Sequence, residues 1–594
     1  MILLPRERWK YLLLQRYWHR TGGMLGFAVL LGMMGGAAAA VFKMTLELVQ
    51  RNVLVRFAGF PFNSQVPHVL PHSLFFLVPA VGGLLSGILV FVFAPDAAGT
   101  GTDGLIDAYH NRGGRIPLKV AVVKFFASII TLGSGGSAGY EGPTAQMGGA
   151  LGSLVGKLFR LPDRLRRLLL LTGTAAGLGA IFHAPLGGAL TAAEIVYKED
   201  FESQGFLPFT VASVVAFACF SLITHQHTTY LHFPLLPFAN VLELFNFALV
   251  GLLCVPFSWA FVHLYKWIQL FFAGMKIKNY FKPAIGGLAV GLLAYICPQA
   301  AGTTWSYLSD AVAGSFPFHI LLFIACVKIL ATSLTIGSGG SGGVFGPSLF
   351  IGGMVGGAVG FGLQKIHPAL VTNPGSYVLV GMGAFFAGAA KAPLAGLIMV
   401  CEITGNYGLL PPLLIASSLH LALSRKWTLY ASQRQNKFSS PVHEHALKVD
   451  VLRHVRLNEI FIEKDGIPLL NADWKLQTAF THIRSSEWDV FPVVGDNGDL
   501  VGLVSSASLH LAAVEASAEN LILVRDLMTE EFILRLSMDL HQAMSVFLKS
   551  GVSQLPVLGL DGNVLGMLRL HDIMAEYDRL TQSADGAEPM ESAG

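Results

Sequence analysis

Residues 121–143 read AVVKFFASIITLGSGGSAGYEGP, and residues 325–347 read ACVKILATSLTIGSGGSGGVFGP. At a constant offset of 204 residues, 13 of these 23 positions are identical. A second pair of blocks follows at an offset of 208, with APLGGALTAAEI at 184–195 and APLAGLIMVCEI at 392–403. Two matched blocks in the same order indicate that this part of the chain is duplicated.

The duplicated region is strongly apolar. Of the 594 residues, 53% are hydrophobic and 13% are charged, whereas a soluble domain carries about 25% charged residues. Between about residues 21 and 423 one apolar stretch follows another, and several reach the roughly 20 residues that span a bilayer. After Ser424 the composition becomes that of a soluble protein. The sequence therefore predicts a multi-pass membrane domain followed by a soluble tail, and the net charge of +3 gives no sign of nucleic-acid binding.

The first 20 residues are basic and carry Trp9 and Trp18. They lack the apolar core and the cleavage site of a signal peptide, so we expect an amphipathic helix on the membrane surface. Positive charges favour the cytoplasmic side of a membrane, which places both this segment and the soluble tail in the cytoplasm.

The GSGGS runs at 133–137 and 337–341 interrupt the two halves at matching positions. Such a run cannot continue a lipid-facing helix, because each glycine costs about 1 kcal/mol relative to alanine. Gly142-Pro143 and Gly346-Pro347 follow, and proline suits the first turn of a new helix. Broken helices expose N–H groups and a partial positive charge, so the two segments predict an anion-binding transport site. Close helix packing is the alternative use of these glycines.

The aligned halves differ at Glu141, which corresponds to Phe345, and at Tyr140, which corresponds to Val344. A carboxylate inside a membrane is costly unless it is paired or functional. If an anion site lies there, the ionised carboxylate would occupy it and the protonated acid would leave it. Glu141 would then couple proton uptake to anion passage. The alternative is a side chain that merely stabilises the helix start.

Other charged residues occur at equivalent positions in both halves, which favours structural roles. They are Glu194 with Glu402, and Lys124 with Lys328. The histidines show no ligand spacing, and no H-E-x-x-H or G-x-S-x-G motif has a partner constellation. We therefore expect neither a metal site nor an enzyme.

Three segments resemble the signature segments of the CLC chloride channels and proton-coupled chloride transporters. They are GTGTD at 99–103, GSGGSAGYEGP at 133–143 and GGVFGPSLFIGG at 342–353. The resemblance runs from about residue 20 to residue 432. It implies an all-α, inverted-repeat bundle of roughly eighteen tilted helices, with repeats at about 21–225 and 240–432. It also implies a homodimer in which each subunit has its own pore.

By this resemblance, Glu141 corresponds to the external gating glutamate of the family. The anion would be bound by main-chain N–H groups of the second and third segments, by a hydroxyl at the family's central serine and by an inner phenol. Those positions are Gly142, Val344, Phe345, Thr100 and Tyr430. A neutral cage of this kind suits a halide, because it allows release.

Three positions depart from the family pattern. Tyr140 replaces an arginine beside Glu141, and Thr100 replaces the serine while keeping the hydroxyl, which favours chloride over nitrate. Ile195 replaces a glutamate that many exchangers use on the internal proton path, and it weakens the antiporter interpretation without removing it. Three nearby carboxylates offer substitutes: Glu199, Asp200 and Glu202.

The tail contains its own repeat, FPVVGDNGDLVG at 491–502 and LPVLGLDGNVLG at 555–566. Each block predicts a hairpin, with turns at Asn497-Gly498 and Asp561-Gly562. The pattern resembles a tandem pair of α/β CBS modules at 457–515 and 524–580. A linker would cover 433–456, and residues 581–594 are predicted to be disordered.

CBS pairs often bind adenine nucleotides through an aspartate on the ribose. Asp572 stands at the matching position, but Arg569 replaces the usual hydroxyl residue, and the first module has Ser508 and no aspartate. The alternatives are one degraded nucleotide site and a purely structural dimerising module.

We expect the protein to exchange chloride for protons across a bacterial inner membrane. Other halides and nitrate are further candidate anions, and no cofactor is required beyond a nucleotide at the tail. The alternative within the family is a passive chloride channel. A nucleotide-sensing membrane protein with vestigial transport is the alternative from another class.

Overall fold

The computed structural model divides the chain into a membrane unit, Met1–Val442, and a tail unit, His443–Gly594. In the membrane unit it describes residues 21–59, 75–225, 240–303, 305–437 and 439–442. In the tail unit it describes residues 452, 455–461, 467–484, 486, 488–496, 498–514, 522–529, 532–559 and 561–585. The expected amphipathic helix at 1–20 lies outside the described residues.

The first half of the membrane unit contains eight described helices. They are α1 (Thr21–Gln50, continued by a π-helical turn Arg51–Phe57), α2 (Leu77–Phe93), α3 (Thr102–His110), α4 (Leu118–Gly133), α5 (Glu141–Leu158), α6 (Asp163–Phe182), α7 (Pro185–Glu194) and α8 (Phe206–Thr224).

The second half repeats this order. Its helices are α9 (Glu243–Gly274), α10 (Lys282–Ile296), α11 (Trp305–Val312), α12 (Phe318–Gly337), α13 (Phe345–Ile366), α14 (Pro374–Ala390), α15 (Pro393–Thr404) and α16 (Leu410–Leu423). Within the described residues, 6 helices are long and apolar enough to cross a membrane, and four more are apolar but shorter. This confirms the predicted multi-pass, mostly helical fold.

The two halves meet about a local two-fold axis. Gly139 and Gly343, which are equivalent by the 204-residue offset, exchange two N–H···O bonds of 2.7 Å in an antiparallel bridge. Equivalent hydroxyl pairs flank the bridge, and each pair is 3.0 Å apart: Ser128 with Ser341, and Thr332 with Ser137. Antiparallel pairing of equivalent residues is the geometry of an inverted repeat.

Small residues allow the halves to pack closely along α2 and α10. A Cβ added to Gly83 would lie 2.1 Å from the carbonyl oxygen of Pro283, and one added to Gly287 would lie 2.1 Å from that of Pro79. Both distances are far below van der Waals contact. Glycine is therefore required at two equivalent positions of this seam.

Glu194 and Glu402 cap helices of the opposite half. Glu194, at the end of α7, accepts hydrogen bonds from the main-chain N–H groups of Leu394 (3.2 Å) and Ala395 (2.8 Å) at the start of α15. Glu402, near the end of α15, accepts from Leu186 (3.1 Å) and Gly187 (2.7 Å) at the start of α7. A carboxylate at a helix N-terminus is stabilising. The geometry agrees with the structural role predicted from repeat equivalence.

Lys124 and Lys328 each bind the carbonyl groups of one short loop. The Nζ of Lys124 donates to Ala97 (3.1 Å) and Gly99 (2.8 Å). The Nζ of Lys328 donates to Ala300 (3.2 Å) and Gly302 (2.9 Å). Both loops read AAGT, at 97–100 and 300–303, which is a third repeated block. These buried lysines also have the structural contacts that the repeat predicted.

The tail unit contains two similar α/β modules. The first has β1 (Leu470–Asn471), β2 (Val490–Val494) and β3 (Leu500–Ser505), with α18 (Leu476–Ile483) and α19 (Ser506–Val514). The second has β4 (Leu534–Arg535), β5 (Gln554–Leu558) and β6 (Val564–Arg569), with α20 (Leu540–Ser550) and α21 (Leu570–Asp585). A short helix α17 (Leu457–Ile460) precedes them. In each module the middle strand pairs in parallel with the first and antiparallel with the third.

The predicted hairpins are present as β2–β3 and β5–β6. Gly498 (φ 83°) and Gly562 (φ 81°) adopt the left-handed conformation that such turns need. Asn497 lies outside the described residues. Leu457 of α17 is buried in the core of the second module, where its N–H donates to Met538, so the segment ahead of the first module completes the second.

Two predicted boundaries shift. Part of the expected linker belongs to the membrane unit, because Arg434 forms a bridge with Tyr197 and the Ser440 hydroxyl lies 2.8 Å from His110 Nδ1. Helix α21 continues to Asp585, beyond the expected start of a disordered tail at 581. No glycine or proline interrupts the sequence until Gly586, so the helix can propagate. Residues 586–594 lie outside the described part.

Candidate functional site

The two GSGGS runs form tight loops between helices, as predicted. Helix α4 ends at Gly133 and α5 begins at Glu141, while α12 ends at Gly337 and α13 begins at Phe345. Gly135 (φ 97°) and Gly339 (φ 98°) have equivalent positive φ angles that favour glycine. The loops therefore bring the N-termini of α5 and α13 together beside the Gly139–Gly343 bridge.

The carboxyl group of Glu141 lies on the first turn of α13. Its Oε2 accepts a hydrogen bond of 3.2 Å from the N–H of Gly346, and the side chain is fully buried. A Cβ added to Gly139 would lie 2.0 Å from Oε2. The first N–H groups of a helix have no acceptor within the helix and bind anions. Here the group in that position is a carboxylate from the opposite half.

Two residues of the second half surround the same carboxyl group. The indole of Trp305 is near enough to hydrogen-bond with it, and the charge of Lys328 acts on it. Trp305 also packs edge-on against Phe182, with ring centroids 6.3 Å apart. The carboxylate therefore accepts a hydrogen bond from a helix start and lies near an aromatic N–H and a buried cation.

Thr100 lies in the first AAGT loop, against the start of α5. A Cβ added to Gly142 would lie 2.3 Å from the Thr100 carbonyl oxygen, so Gly142 permits a close approach that no other residue allows. The loop is tied to the second half because Gly99 donates to Gly340 (3.1 Å) and accepts from Gly342 (3.2 Å). The Thr100 hydroxyl accepts a bond of 3.2 Å from the N–H of Asp103 at the start of α3.

Val344 and Phe345 form the start of α13. Val344 is the residue before the helix, and Phe345 is its first residue. The Phe345 ring packs between Phe182 and Phe386, with centroids 4.9 and 3.9 Å away. Phe345 thus fixes the helix start with an apolar ring where the equivalent Glu141 presents a charge. The main-chain donors expected from the sequence lie at the same helix start as the Glu141 carboxyl group.

Tyr430 is fully buried, and its hydroxyl has no hydrogen bond of good geometry. The Thr102 side chain lies beside this hydroxyl. The Oγ1 of Thr102 would be 3.4 Å from a Cβ added to Gly142. The structure therefore brings Thr100, Gly142, Val344 and Phe345 to one place, with Tyr430 reaching it through Thr102.

Thr102 was missed by the sequence analysis. The signal was the AAGT repeat, which makes Thr102 equivalent to Trp305 at an offset of 203. Thr102 lies beside Tyr430, and Trp305 lies beside Glu141. The equivalent first residues of α3 and α11 thus lie beside Tyr430 and Glu141, respectively.

Ile195 follows directly after α7 and is buried. Its carbonyl oxygen accepts a bond of 2.9 Å from the Nε2 of Gln433. The side chain offers no group that could bind a proton, as expected from the sequence. Of the nearby carboxylates, Glu199 is exposed, Asp200 is partly exposed and Glu202 is buried.

In the tail unit, Asp572 does not line a cavity described in the structure. Its Oδ2 accepts a bond of 3.1 Å from the Arg569 N–H, which is a local cap at the start of α21. The Arg569 guanidinium stacks 4.8 Å from the ring of Trp488. A cavity of about 430 Å³ lies instead between the two modules, lined by residues of both that include Ser508 and Phe532.

Comparison with known proteins agrees with this geometry. A family model described as voltage gated chloride channel matches residues 82–425, and the CBS domain model matches 462–514 and 524–579. A relative from Vibrio vulnificus strain YJ016, named H(+)/Cl(-) exchange transporter ClcA, is 32% identical over 402 residues, which cover 66% of this chain and 85% of the relative. One of the same name from Cronobacter sakazakii is 33% identical over 400 residues, covering 66% and 84%.

A solved structure titled as a slow cyanobacterial Cl-/H+ antiporter has the same fold. It aligns with a TM-score of 0.59 at 24% sequence identity, over 72% of this chain and 98% of that chain. The family model, the curated relatives and the inverted-repeat geometry all lead to one assignment. The chain belongs to the CLC family of chloride channels and transporters and carries a C-terminal tandem pair of CBS domains.

Proposed function

We propose that this protein exchanges chloride for protons across a membrane, with Glu141 as the group that binds the proton. The observation that carries the proposal is the Glu141 carboxylate on the first turn of α13, 3.2 Å from the Gly346 N–H. A helix start of this kind binds anions, and here the bound anion is a side chain. The names of the relatives, which are H(+)/Cl(-) exchange transporters, support exchange over passive conduction.

The mechanism follows from competition for the start of α13. While Glu141 is ionised, its carboxylate occupies the N–H groups and excludes chloride. A proton removes the negative charge, so the acid loses its electrostatic attraction to the helix start. Chloride then takes its place among amide and hydroxyl donors, and deprotonation returns Glu141 to the helix start. The ionised Glu141 carboxylate and chloride therefore occupy the start of α13 alternately.

The cage of donors sets which anions fit. Main-chain N–H groups and the hydroxyls of Thr100 and Tyr430 bind without a direct cation, which permits rapid release. We propose chloride as the main anion, with other halides as further substrates, and nitrate as a poor one because Thr100 retains its hydroxyl. We also propose a homodimer in a bacterial inner membrane, with both termini in the cytoplasm.

A flux assay on the purified full chain in liposomes tests the proposal. Vesicles loaded with high chloride are diluted into low-chloride buffer at equal pH, and external chloride and pH are recorded. We expect chloride efflux to drive proton uptake, and a protonophore to abolish the pH change. Chloride efflux without proton movement would support the passive channel. No chloride efflux would contradict transport and favour the sensor.

We further propose that the tail binds an adenine nucleotide in the cavity between the two CBS modules, not at Asp572. The 430 Å³ cavity supports this, because Leu503 and Phe532 offer apolar faces and Ser505 and Ser508 offer hydroxyls to a ribose. Calorimetric titration of the full chain with ATP and AMP tests it. Binding that is lost in Ser508→Trp and kept in Asp572→Ala supports the cavity. Absence of binding favours a purely structural module.

A further inference from the structure

A buried cluster of polar side chains lies at the end of α7. The hydroxyl of Tyr109 donates a hydrogen bond of 2.6 Å to Oε2 of Glu202, and the phenol oxygens of Tyr109 and Tyr197 are 3.4 Å apart. All three side chains are buried, and Glu202 is only 1% exposed. A buried carboxylate is costly, so its retention here needs either a structural or a chemical reason.

The cluster is built on the same turn of chain as Ile195. The N–H of Glu202 donates a bond of 2.8 Å to the carbonyl of Ala193, two residues before Ile195. His110 Nε2 lies 2.8 Å from the carbonyl oxygen of Val196, the residue that follows. Glu202 is therefore attached to the turn of chain that contains Ile195. The Ile195 side chain itself cannot bind a proton.

The groups that face Glu202 come from several elements. Gln204 donates its N–H to Oε1 (3.3 Å), and the His110 ring lies 5.0 Å from the Tyr109 ring and 5.4 Å from the Tyr197 ring. In the same loop Asp200 pairs with Lys437 at 3.6 Å, which is a partly exposed ion pair. Of the three carboxylates that follow Ile195, Glu202 is thus the buried one. Glu199 is exposed to solvent.

Helix α3 connects this cluster to the anion site. Thr102, beside Tyr430, and Tyr109, beside Glu202, are seven residues apart and both buried, which places them on one face about 10 Å apart along the helix axis. Leu105 and Ile106 lie buried between them. Glu202 and Tyr430 therefore lie near opposite ends of the same face of α3, with apolar side chains between their contacts.

We propose that Glu202 is the inner proton-binding residue of the exchange, held in position by Tyr109, and that it replaces the family's internal glutamate at Ile195. This inference rests on the exchange function proposed above. In the proton step, the Glu202 carboxylate accepts a proton from the inner solution to form the neutral acid. The O–H bond of Glu202 later breaks, and the Glu141 carboxylate receives a proton and becomes the neutral acid. Tyr109 is a positioning residue, since its hydroxyl orients one carboxyl oxygen.

The test compares proton and chloride flux in liposomes for four proteins: wild type, Glu202→Gln, Glu199→Gln, and the double variant Glu202→Gln/Ile195→Glu. Glutamine keeps an oxygen for the Tyr109 hydroxyl but cannot titrate. We expect Glu202→Gln to lower chloride-driven proton uptake at least tenfold while chloride efflux persists. The exposed Glu199→Gln should match wild type. Restoring a carboxylate at residue 195 should recover proton uptake.

Each outcome decides the inference. Unchanged coupling in Glu202→Gln would overturn it. An equal fall of both fluxes that Ile195→Glu does not recover would show a purely structural carboxylate and would also overturn it. A wild-type protein that moves chloride without protons would overturn the proposed exchange itself, and this result appears before any variant is compared. Loss of proton uptake alone, with recovery in the double variant, supports Glu202.

Discussion

The two halves of the membrane unit share a scaffold but place opposite chemistry on it. Equivalent glycines form the central bridge, and equivalent glutamates cap each other's helices. At the start of α5, however, the first half has Glu141, while at the start of α13 the second half has Phe345 packed between two aromatic rings. The duplication thus explains the helix ends, and the difference between the halves lies at the residue that we propose as the gate, Glu141.

The largest expected effect separates Gly142 from its equivalent, Gly346. A Cβ on Gly142 would meet the Thr100 carbonyl oxygen at 2.3 Å, which is main chain and cannot move aside. A Cβ on Gly346 would meet the end of the Glu141 side chain at 2.7 Å, which can rotate away. We expect Gly142→Ala to yield no folded, chloride-transporting protein. Gly346→Ala should fold. Its ionised Glu141 carboxylate should no longer fit at the start of α13, so chloride flux should no longer be inhibited at high pH.

Size-exclusion profiles and chloride efflux at several pH values measure both variants. Gly362→Ala is the control, because no atom lies within 4 Å of the Cβ that it adds and it should match wild type. Equal tolerance of Gly142→Ala and Gly346→Ala would contradict the asymmetry between backbone contact and side-chain contact.

A smaller effect is expected at the reciprocal caps. Glu194→Ala and Glu402→Ala each remove a carboxylate that accepts two main-chain hydrogen bonds, so each should lower the free energy of unfolding by about 2 kcal/mol. Glu194 is 5% exposed and Glu402 is partly exposed, so Glu194→Ala should cost more. Thermal unfolding in detergent measures the difference.

Glu47→Ala serves as the control for the caps, since it removes only an exposed side chain 3.9 Å from Lys43. It should change the free energy of unfolding by less than about 0.5 kcal/mol. If neither cap variant unfolds earlier than this control, the reciprocal caps do not stabilise the halves.

The smallest expected effect distinguishes two equivalent residues, Thr102 at the start of α3 and Trp305 at the start of α11. Trp305→Phe keeps an aromatic ring against Phe182 but removes the N–H that faces Glu141, so it should lower proton uptake per chloride. Thr102→Val removes the hydroxyl beside Tyr430, so it should change chloride efflux and leave the proton-to-chloride ratio unaltered. A polar interaction worth about 1 kcal/mol corresponds to roughly fivefold.

Paired chloride and pH traces on both variants measure this difference. If Thr102→Val changed the ratio and Trp305→Phe did not, the assignment of Trp305 to the proton-binding group and of Thr102 to the anion site would be wrong.

Much of the membrane unit could be predicted from the repeat. Matching glycine runs located the helix breaks, and the one charged difference located Glu141. The capping partners of Glu194 and Glu402 could not be predicted, because these hydrogen bonds join the two halves. Aligning the halves in sequence does not show how they are oriented in space. Repeat equivalence indicated a structural role without showing what each carboxylate binds.

The remaining differences have local physical causes. Thr102 lies in the GTGTD segment but was not singled out, because its equivalence to Trp305 depends on the short AAGT block outside the glycine runs. Asp572 matches a ribose-binding position, and in the structure its carboxylate also accepts the Arg569 N–H at the start of α21. A motif position alone could not distinguish a helix cap from a ligand contact.

The most direct test of the central claim is the paired proton and chloride flux of Glu141→Gln in liposomes. Glutamine is neutral at every pH, so it can neither carry the proton nor bind the start of α13 as an anion. The account predicts that proton uptake disappears, while chloride efflux persists and no longer varies with pH. Proton uptake that survives in Glu141→Gln, or chloride efflux that keeps its pH dependence, would contradict it.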